Sequence, residues 1–228
     1  MKDYILITGG SSGLGLELVR EAHRRGMDVA SLSKDPEKAR RLQEEFPERL
    51  TAFSGDLTDP LFVQSTVSTV RKEGNIRILI NCAERGVFRS PADYTPEDIE
   101  LSLQGLRGME LMTTAVLKAT DEKGLKIVNI LSSAALKGKP KEALYCAAKW
   151  GERGYTEALK AAYSETSVKV IAIYPSGLNT AFWDKSRDYI PESKSDTFLD
   201  PSAVAKMILE NILQENDKID DEMIISRN

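Results

Sequence analysis

Tyr145 and Lys149 lie four residues apart in Leu144-Tyr-Cys-Ala-Ala-Lys-Trp150, a run without proline or glycine. On a helix that spacing stacks a phenol beside an ammonium. A free phenol titrates near pH ~10. A positive charge ~4 Å away, at an effective dielectric of ~20, favours phenolate by roughly 4 kcal/mol, or about three pK units before screening. A tyrosine so placed is expected to act as an acid near neutrality. The same spacing also suits an ordinary solvated helix face, so its surroundings must decide.

The N-terminal segment supplies those surroundings. Tyr4-Ile-Leu-Ile-Thr8 is an apolar, β-branched run of the type buried in a parallel strand, and it opens into Gly9-Gly10-Ser11-Ser12-Gly13-Leu14-Gly15, followed by a helical stretch from about 13 to 25. A strand, a glycine-rich turn and a helix N-terminus together form an anion site, because free backbone N–H groups and the helix dipole converge where glycines let a pyrophosphate approach. The spacing Thr-Gly-x-x-x-Gly-x-Gly is not the common Gly-x-Gly-x-x-Gly fingerprint. It is not a P-loop either, since no Gly-Lys-Ser or Gly-Lys-Thr follows.

Taken together these motifs resemble the short-chain dehydrogenase/reductase family over nearly the whole chain. Thr8 to Gly15 fits its nucleotide loop, with Gly9, Ser11, Ser12, Gly13, Leu14 and Gly15 at the cofactor. Asp56, next to Leu57, fits its adenine-contacting aspartate. Asn81-Cys-Ala-Glu84 sits where the family has Asn-Asn-Ala-Gly. Ser132 has the family's offset upstream of Tyr145, and Pro175-Ser-Gly-Leu-Asn-Thr180 resembles the segment beside the nicotinamide.

The resemblance implies hydride transfer between a nicotinamide and a carbonyl or alcohol. Tyr145 would donate the proton, Lys149 would lower its pKa and bind the ribose, and Ser132 would hold the substrate oxygen. Pro175, Gly177, Leu178 and Thr180 would orient the nicotinamide. Two departures stand out. Gly105 aligns with an asparagine that holds a relay water in the family; a backbone carbonyl, helped by a local helix irregularity that glycine eases, would hold that water instead, so a weakened or rerouted proton relay is expected rather than abolished catalysis. Glu84 replaces a glycine, and its carboxylate must point away from the phosphates or weaken cofactor binding. The alternative reading is a dinucleotide-binding regulatory or scaffold protein that kept the fold and lost turnover.

The elements that must position these residues alternate along the chain. Strands are expected at 4–8, 28–32, 50–54, 76–81, 126–131, 169–174 and 223–226, with helices between them. The expected fold is α/β, a Rossmann-like doubly wound three-layer arrangement around a central, mostly parallel seven-stranded sheet. The 228 residues form a single domain, with a substrate lid at 181–199 carrying Phe182, Trp183, Tyr189, Ile190 and Phe198. Asp35-Pro36, Asp59-Pro60, Thr95-Pro96 and Asp200-Pro201 each join a capping side chain to a proline at the first helical position.

At the end of the second strand stand Ser33 and Lys34, where an NAD-specific fold carries an acid against the ribose hydroxyl. NADP is therefore the expected cofactor, with Asp35 read as a helix cap. The substrate is expected to be a small carbonyl or alcohol compound with a bulky, partly apolar body.

With 35 acidic against 31 basic residues there is no basic field for nucleic acid. Cys82 and Cys146 lack metal-type spacing, and His23 beside Arg24 and Arg25 reads as a solvated helix residue, so no metal site is expected. No apolar run approaches the ~20 residues needed to span a bilayer, and the first strand begins almost at Met1, so no membrane association and a cytoplasmic location are expected. A helix from Pro96 to about Thr120 carries more apolar residues than one core-facing stripe needs. That surplus and the family's habit of pairing this helix with the Tyr145 helix predict a homodimer, with a homotetramer less expected.

Overall fold

A computed structural model of the chain describes residues 1–121, 123–183 and 198–226. Seven strands form one sheet in the order β3-β2-β1-β4-β5-β6-β7, and every pairing is parallel. The strands are β1 (Lys2–Thr8), β2 (Asp28–Ser33), β3 (Leu50–Ser54), β4 (Gly74–Asn81), β5 (Lys126–Ile130), β6 (Lys169–Pro175) and β7 (Glu222–Ile225). The helices are α1 (Gly13–Arg24), α2 (Pro36–Glu45), α3 (Pro60–Glu73), α4 (Pro96–Ser102), α5 (Gln104–Ala119), α6 (Ala143–Ala162) and α7 (Pro201–Ile212).

Alternation along the strands divides the core into two layers. Ile5 and Ile7 of β1 pack with Leu18 of α1 and Ile208 of α7 on one face. Tyr4 and Leu6 pack with Val67 of α3, Met112 of α5 and Leu159 of α6 on the other. Burial on both faces explains why these strands read as continuous apolar runs. Strand order reverses between β1 and β4, which leaves a crevice above the carboxyl ends of the strands.

The four proline-marked starts are helix starts. Asp35 accepts from the N–H groups of Glu37 and Lys38, Asp59 from Leu61 and Asp200 from Ser202, while Thr95 and Asp98 form a reciprocal capping box. The helix expected across 96–120 is instead two helices, broken at Leu103. Ser102 Oγ donates to the Ile99 carbonyl at 2.8 Å and the Leu103 N–H turns to Glu100, three residues back, so the regular ladder stops there and restarts. Among the described residues no helix is long and apolar enough to cross a membrane.

Candidate active site

The carboxyl ends of β1, β2, β4, β5 and β6 open into one cleft of about 520 Å³. Every residue named above as a catalytic or cofactor candidate lines it. Thr8 ties the crevice together, because its Oγ1 accepts from the N–H groups of Cys82 and Ala83 at 3.0 and 3.1 Å and so pins the end of β1 to the chain leaving β4. Gly9 has φ +71°, and a Cβ there would lie 2.8 Å from the Ala83 Cα, so the turn requires glycine. Gly15, on the first turn of α1, sits so close to Gly9 that a Cβ would meet its carbonyl oxygen at 2.2 Å. Ser12 caps α1 with extended backbone and makes no side-chain cap hydrogen bond, which leaves the helix N-terminus to the cleft. Thr180 lies over Gly13, bringing the segment after β6 onto the glycine loop.

At the end of β2, Ser33 Oγ and Ser11 Oγ are 2.6 Å apart. Lys34 Nζ pairs with Asp56 Oδ2 at 2.5 Å, while Asp56 Oδ1 accepts from the Thr58 N–H and hydroxyl. Lys34, helped by these Thr58 bonds against the cost of burial, holds the Asp56 carboxyl at about 2. Lys38, from the first turn of α2, also lines this end. Its position three residues past the capping Asp35 was the signal available for it.

Asn81 turns out to be partly structural. Its Nδ2 donates to Thr113 Oγ1 and Asn129 Oδ1, and Asn129 donates to Thr156, so a buried polar chain joins β4, β5, α5 and α6. Asn81 Oδ1 has no hydrogen-bond partner among the described residues.

The chemistry-bearing trio meets above β5. Ser132 follows the strand; its Oγ accepts from the Ala134 N–H at 3.1 Å, and it pulls the Tyr145 phenol downward. Ser133 instead accepts from Lys139 at 3.1 Å, which separates the two adjacent serines. Lys149 is 3% exposed at its side chain and donates to the Ile130 carbonyl at 3.2 Å. Two carboxylates flank it, Glu84 Oε2 at 2.6 Å and Glu152 Oε2 at 2.7 Å. Glu84 therefore points into the protein, toward the lysine. Glu152 was not singled out from the sequence, although its place three residues after Lys149 on a helix was the clue.

The two carboxylates alter the expected electrostatics. Burial pushes the Tyr145 phenol above its ordinary value. Lys149 pulls it down, while Glu84 and Glu152 act against that pull. The isolated Tyr–Lys estimate of a strongly lowered phenol is thus overturned. Lys149 itself is held charged: burial opposes the ammonium, and Glu152 and Glu84 overcome that opposition.

Gly105 lies in the first turn of α5 without a positive φ, and a Cβ there would lie 2.3 Å from Glu84 Oε1. The glycine provides room for a carboxylate, so the expectation of a helix irregularity at this residue is not met.

Over the phenol stand rings from separate elements. Phe88 lies 5.2 Å and Phe182 5.9 Å from the Tyr145 ring, Trp183 lies 5.1 Å from Phe88, and Phe198 stacks on Trp183 at 5.4 Å. Trp183 Nε1 donates to the Leu178 carbonyl at 2.8 Å, fixing the indole beside the chain that follows β6. Tyr189 and Ile190, and most of the lid expected at 181–199, lie outside the described residues.

A family model described as short chain dehydrogenase matches residues 3–190. The chain is 27% identical to sepiapterin reductase of Chlorobaculum tepidum over 240 residues, covering 99% of this chain and 96% of that protein. It is 28% identical to 2,3-dihydroxy-2,3-dihydro-p-cumate dehydrogenase of Pseudomonas putida over 203 residues, covering 86% and 78%. In structure it is similar to the closed form of a serine dehydrogenase complexed with NADP+, with TM-score 0.90, 22% identity and coverage of 98% and 94%.

Proposed function

This chain belongs to the short-chain dehydrogenase family, and on that premise we propose that it is an NADP(H)-dependent reductase of ketones or aldehydes with Tyr145 as proton donor. The observation that carries the proposal is the meeting of Ser132, Tyr145 and Lys149 at the mouth of a cleft whose far end holds a glycine loop and an uncapped helix N-terminus. The residues fit a phosphorylated dinucleotide. Gly9 and Gly15 leave no room for side chains where the backbone packs closest, and paired hydroxyls of Ser11 and Ser33 with Lys34 and Lys38 form a phosphate-binding end. The carboxylates nearby are engaged, Asp35 in capping α2 and Asp56 with Lys34 and Thr58. The relative in complex with NADP+ agrees with this choice.

Bound in this cleft, the nicotinamide would supply the hydride. Tyr145 would give its proton to the carbonyl oxygen while Ser132 holds that oxygen, and Lys149 would stabilise the phenolate left behind. Phe88, Phe182, Trp183 and Phe198 form an aromatic wall beside the phenol, which suits a carbonyl compound with an apolar body and excludes water from it. The names of two relatives, sepiapterin reductase and 3-ketodihydrosphingosine reductase, agree with a carbonyl on a sizeable substrate.

The test is NADPH consumption, followed at the nicotinamide absorbance, across a panel of ketones and aldehydes. Tyr145→Phe keeps the ring and removes the donor, so kcat should fall at least ~100-fold with cofactor affinity little changed. Lys149→Ala should lose both. Tight cofactor binding with no turnover would favour the alternative, a dinucleotide-binding regulatory protein. Undiminished turnover in Tyr145→Phe would overturn the site assignment.

A further inference from the structure

We propose that Glu84 and Glu152 share one proton beside Lys149 and serve as the reservoir that recharges the Lys149–Tyr145 centre after each turnover, with Gly105 kept bare to make room for Glu84. The inference rests on the reductase reading above. Glu84 reaches Lys149 from the chain leaving β4, and Glu152 reaches it from the same helix as the lysine, at 2.6 and 2.7 Å. Both carboxylates thus close on one buried ammonium, and Glu84 Oε2 has no hydrogen-bond partner among the described residues beyond that ion pair. Ionised carboxylates only accept, so a single proton on the pair is what would let the two groups join beside the lysine.

The charges agree with that count. Two buried carboxylates around one ammonium would leave an uncompensated negative charge, and like charges so close do not both ionise. Burial and the neighbouring Glu84 charge push the Glu152 carboxyl well above its ordinary value, although Lys149 opposes this. Among the described residues, the other groups facing the lysine carry no competing charge. They are the Tyr145 phenol, the Ile130 carbonyl, and the Cys82 thiol, which burial pushes up to about 12.

The pair also has an inside and an outside. Glu152 is 1% exposed and Glu84 is 10% exposed and lines the cleft. Glu84 Oε1 is held by the Arg85 N–H at 2.7 Å, and any side chain at 105 would collide with that oxygen.

During reduction the Tyr145 Oη–H bond breaks and its proton goes to the carbonyl oxygen whose carbon receives hydride. Lys149 then gives an Nζ–H proton toward the phenolate, and the shared carboxyl proton passes to Lys149. Water at the Glu84 side returns one proton to the pair. No electrons move in these later steps, and one proton enters per alcohol formed.

The first test uses the cofactor-free protein. Infrared spectra at neutral pH should show a protonated-carboxyl band that shifts in deuterium oxide and is absent in both Glu84→Gln and Glu152→Gln. In turnover, Glu84→Gln should lower kcat at least ~10-fold, short of the loss for a direct general acid, and shift the basic limb of its pH profile. NADPH affinity should hold within about twofold, a factor worth less than ~0.5 kcal/mol. Glu84→Asp, which keeps the carboxyl, should recover part of the rate.

Gly105→Ala should reproduce the Glu84→Gln profile, and adding it to Glu84→Ala should cost nothing further. Absence of the infrared band, or an unaltered pH profile in Glu84→Gln, would overturn the proposal. Loss of the band in both variants together with full turnover in Tyr145→Phe would keep the shared proton and overturn the reductase reading instead.

Discussion

Ser33 ends β2 with a hydroxyl where a carboxylate would repel a phosphate, and its partner Ser11 is only 2.6 Å away. NADPH should therefore be preferred over NADH by at least about tenfold, or roughly 1.4 kcal/mol. Ser33→Asp should erase or reverse that preference, and equal kinetics with both cofactors in the unaltered protein would refute it. Lys34 has a second, smaller role through Asp56. Because the folded Asp56 carboxyl is lowered from 3.8 to about 2, their pairing contributes above the unfolded value and is lost as pH falls toward 2. Both side chains are well exposed, so Lys34→Met should cost under ~1 kcal/mol at pH 6 and nothing near pH 2. Its loss of NADPH affinity should be the larger effect, and denaturant titrations at the two pH values beside cofactor binding separate the roles. At this scale the sequence was readable where chemistry is local: Tyr145 and Lys149 share a helix, and Ser132 ends a strand. It marked Glu84 as a departure but did not turn it toward Lys149, a turn that depends on the space left by Gly105 on a different element. The phenol's expected acidity failed first because burial raises it, and then because pairing it with Lys149 alone omits carboxylates that only the fold assembles.

Thr8 shows how an element end becomes part of a site. Its one hydroxyl oxygen satisfies two N–H groups on the chain leaving β4, so Thr8→Val preserves shape while stranding both. Each partly buried orphan costs about 1–3 kcal/mol, so with two stranded the variant should lose about 2–6 kcal/mol in denaturant titration and bind cofactor more weakly. A stability within ~0.5 kcal/mol of the parent would mean that water replaces the hydroxyl. Gly15→Ala should be worse for binding than for folding, because its Cβ meets the Gly9 carbonyl in the loop expected to hold the pyrophosphate. Thermal melting with and without NADPH distinguishes the two. Elements of this kind were legible because parallel strands are apolar on both faces and because four prolines sit beside capping side chains. The break at Leu103 was not legible: apolar residues run straight through it, and the interruption comes from Ser102 bonding its own backbone.

Across the whole molecule, the surplus of apolar residues between 96 and 120 is smaller than the sequence suggested. Met109, Met112 and Val116 are buried, and Leu106 packs within 3.0 Å of where a Gly151 Cβ would stand on α6. What stays outside is narrower: Ile99 and Leu103 at 45% and 43% exposure, and Trp150 at 50% on α6, the helix that carries Tyr145 and Lys149 on its buried face. Since α4 packs against α6, a second copy seated on these helices would cover the apolar side chains and brace the catalytic helix from behind. A stable pairing needs roughly 800 Å² per partner. We therefore propose a homodimer through α4, α5 and α6. Sedimentation at micromolar concentration should give a dimer, and Leu103→Glu combined with Trp150→Glu should give a monomer, because buried unpaired carboxylates are costly and here would face their symmetry mates. If the dimer braces α6, the monomeric variant should melt at lower temperature and lose turnover in proportion to dissociation, while its NADPH preference over NADH persists. A monomer in the unaltered chain, or a dimer untouched by both substitutions, would refute this interface.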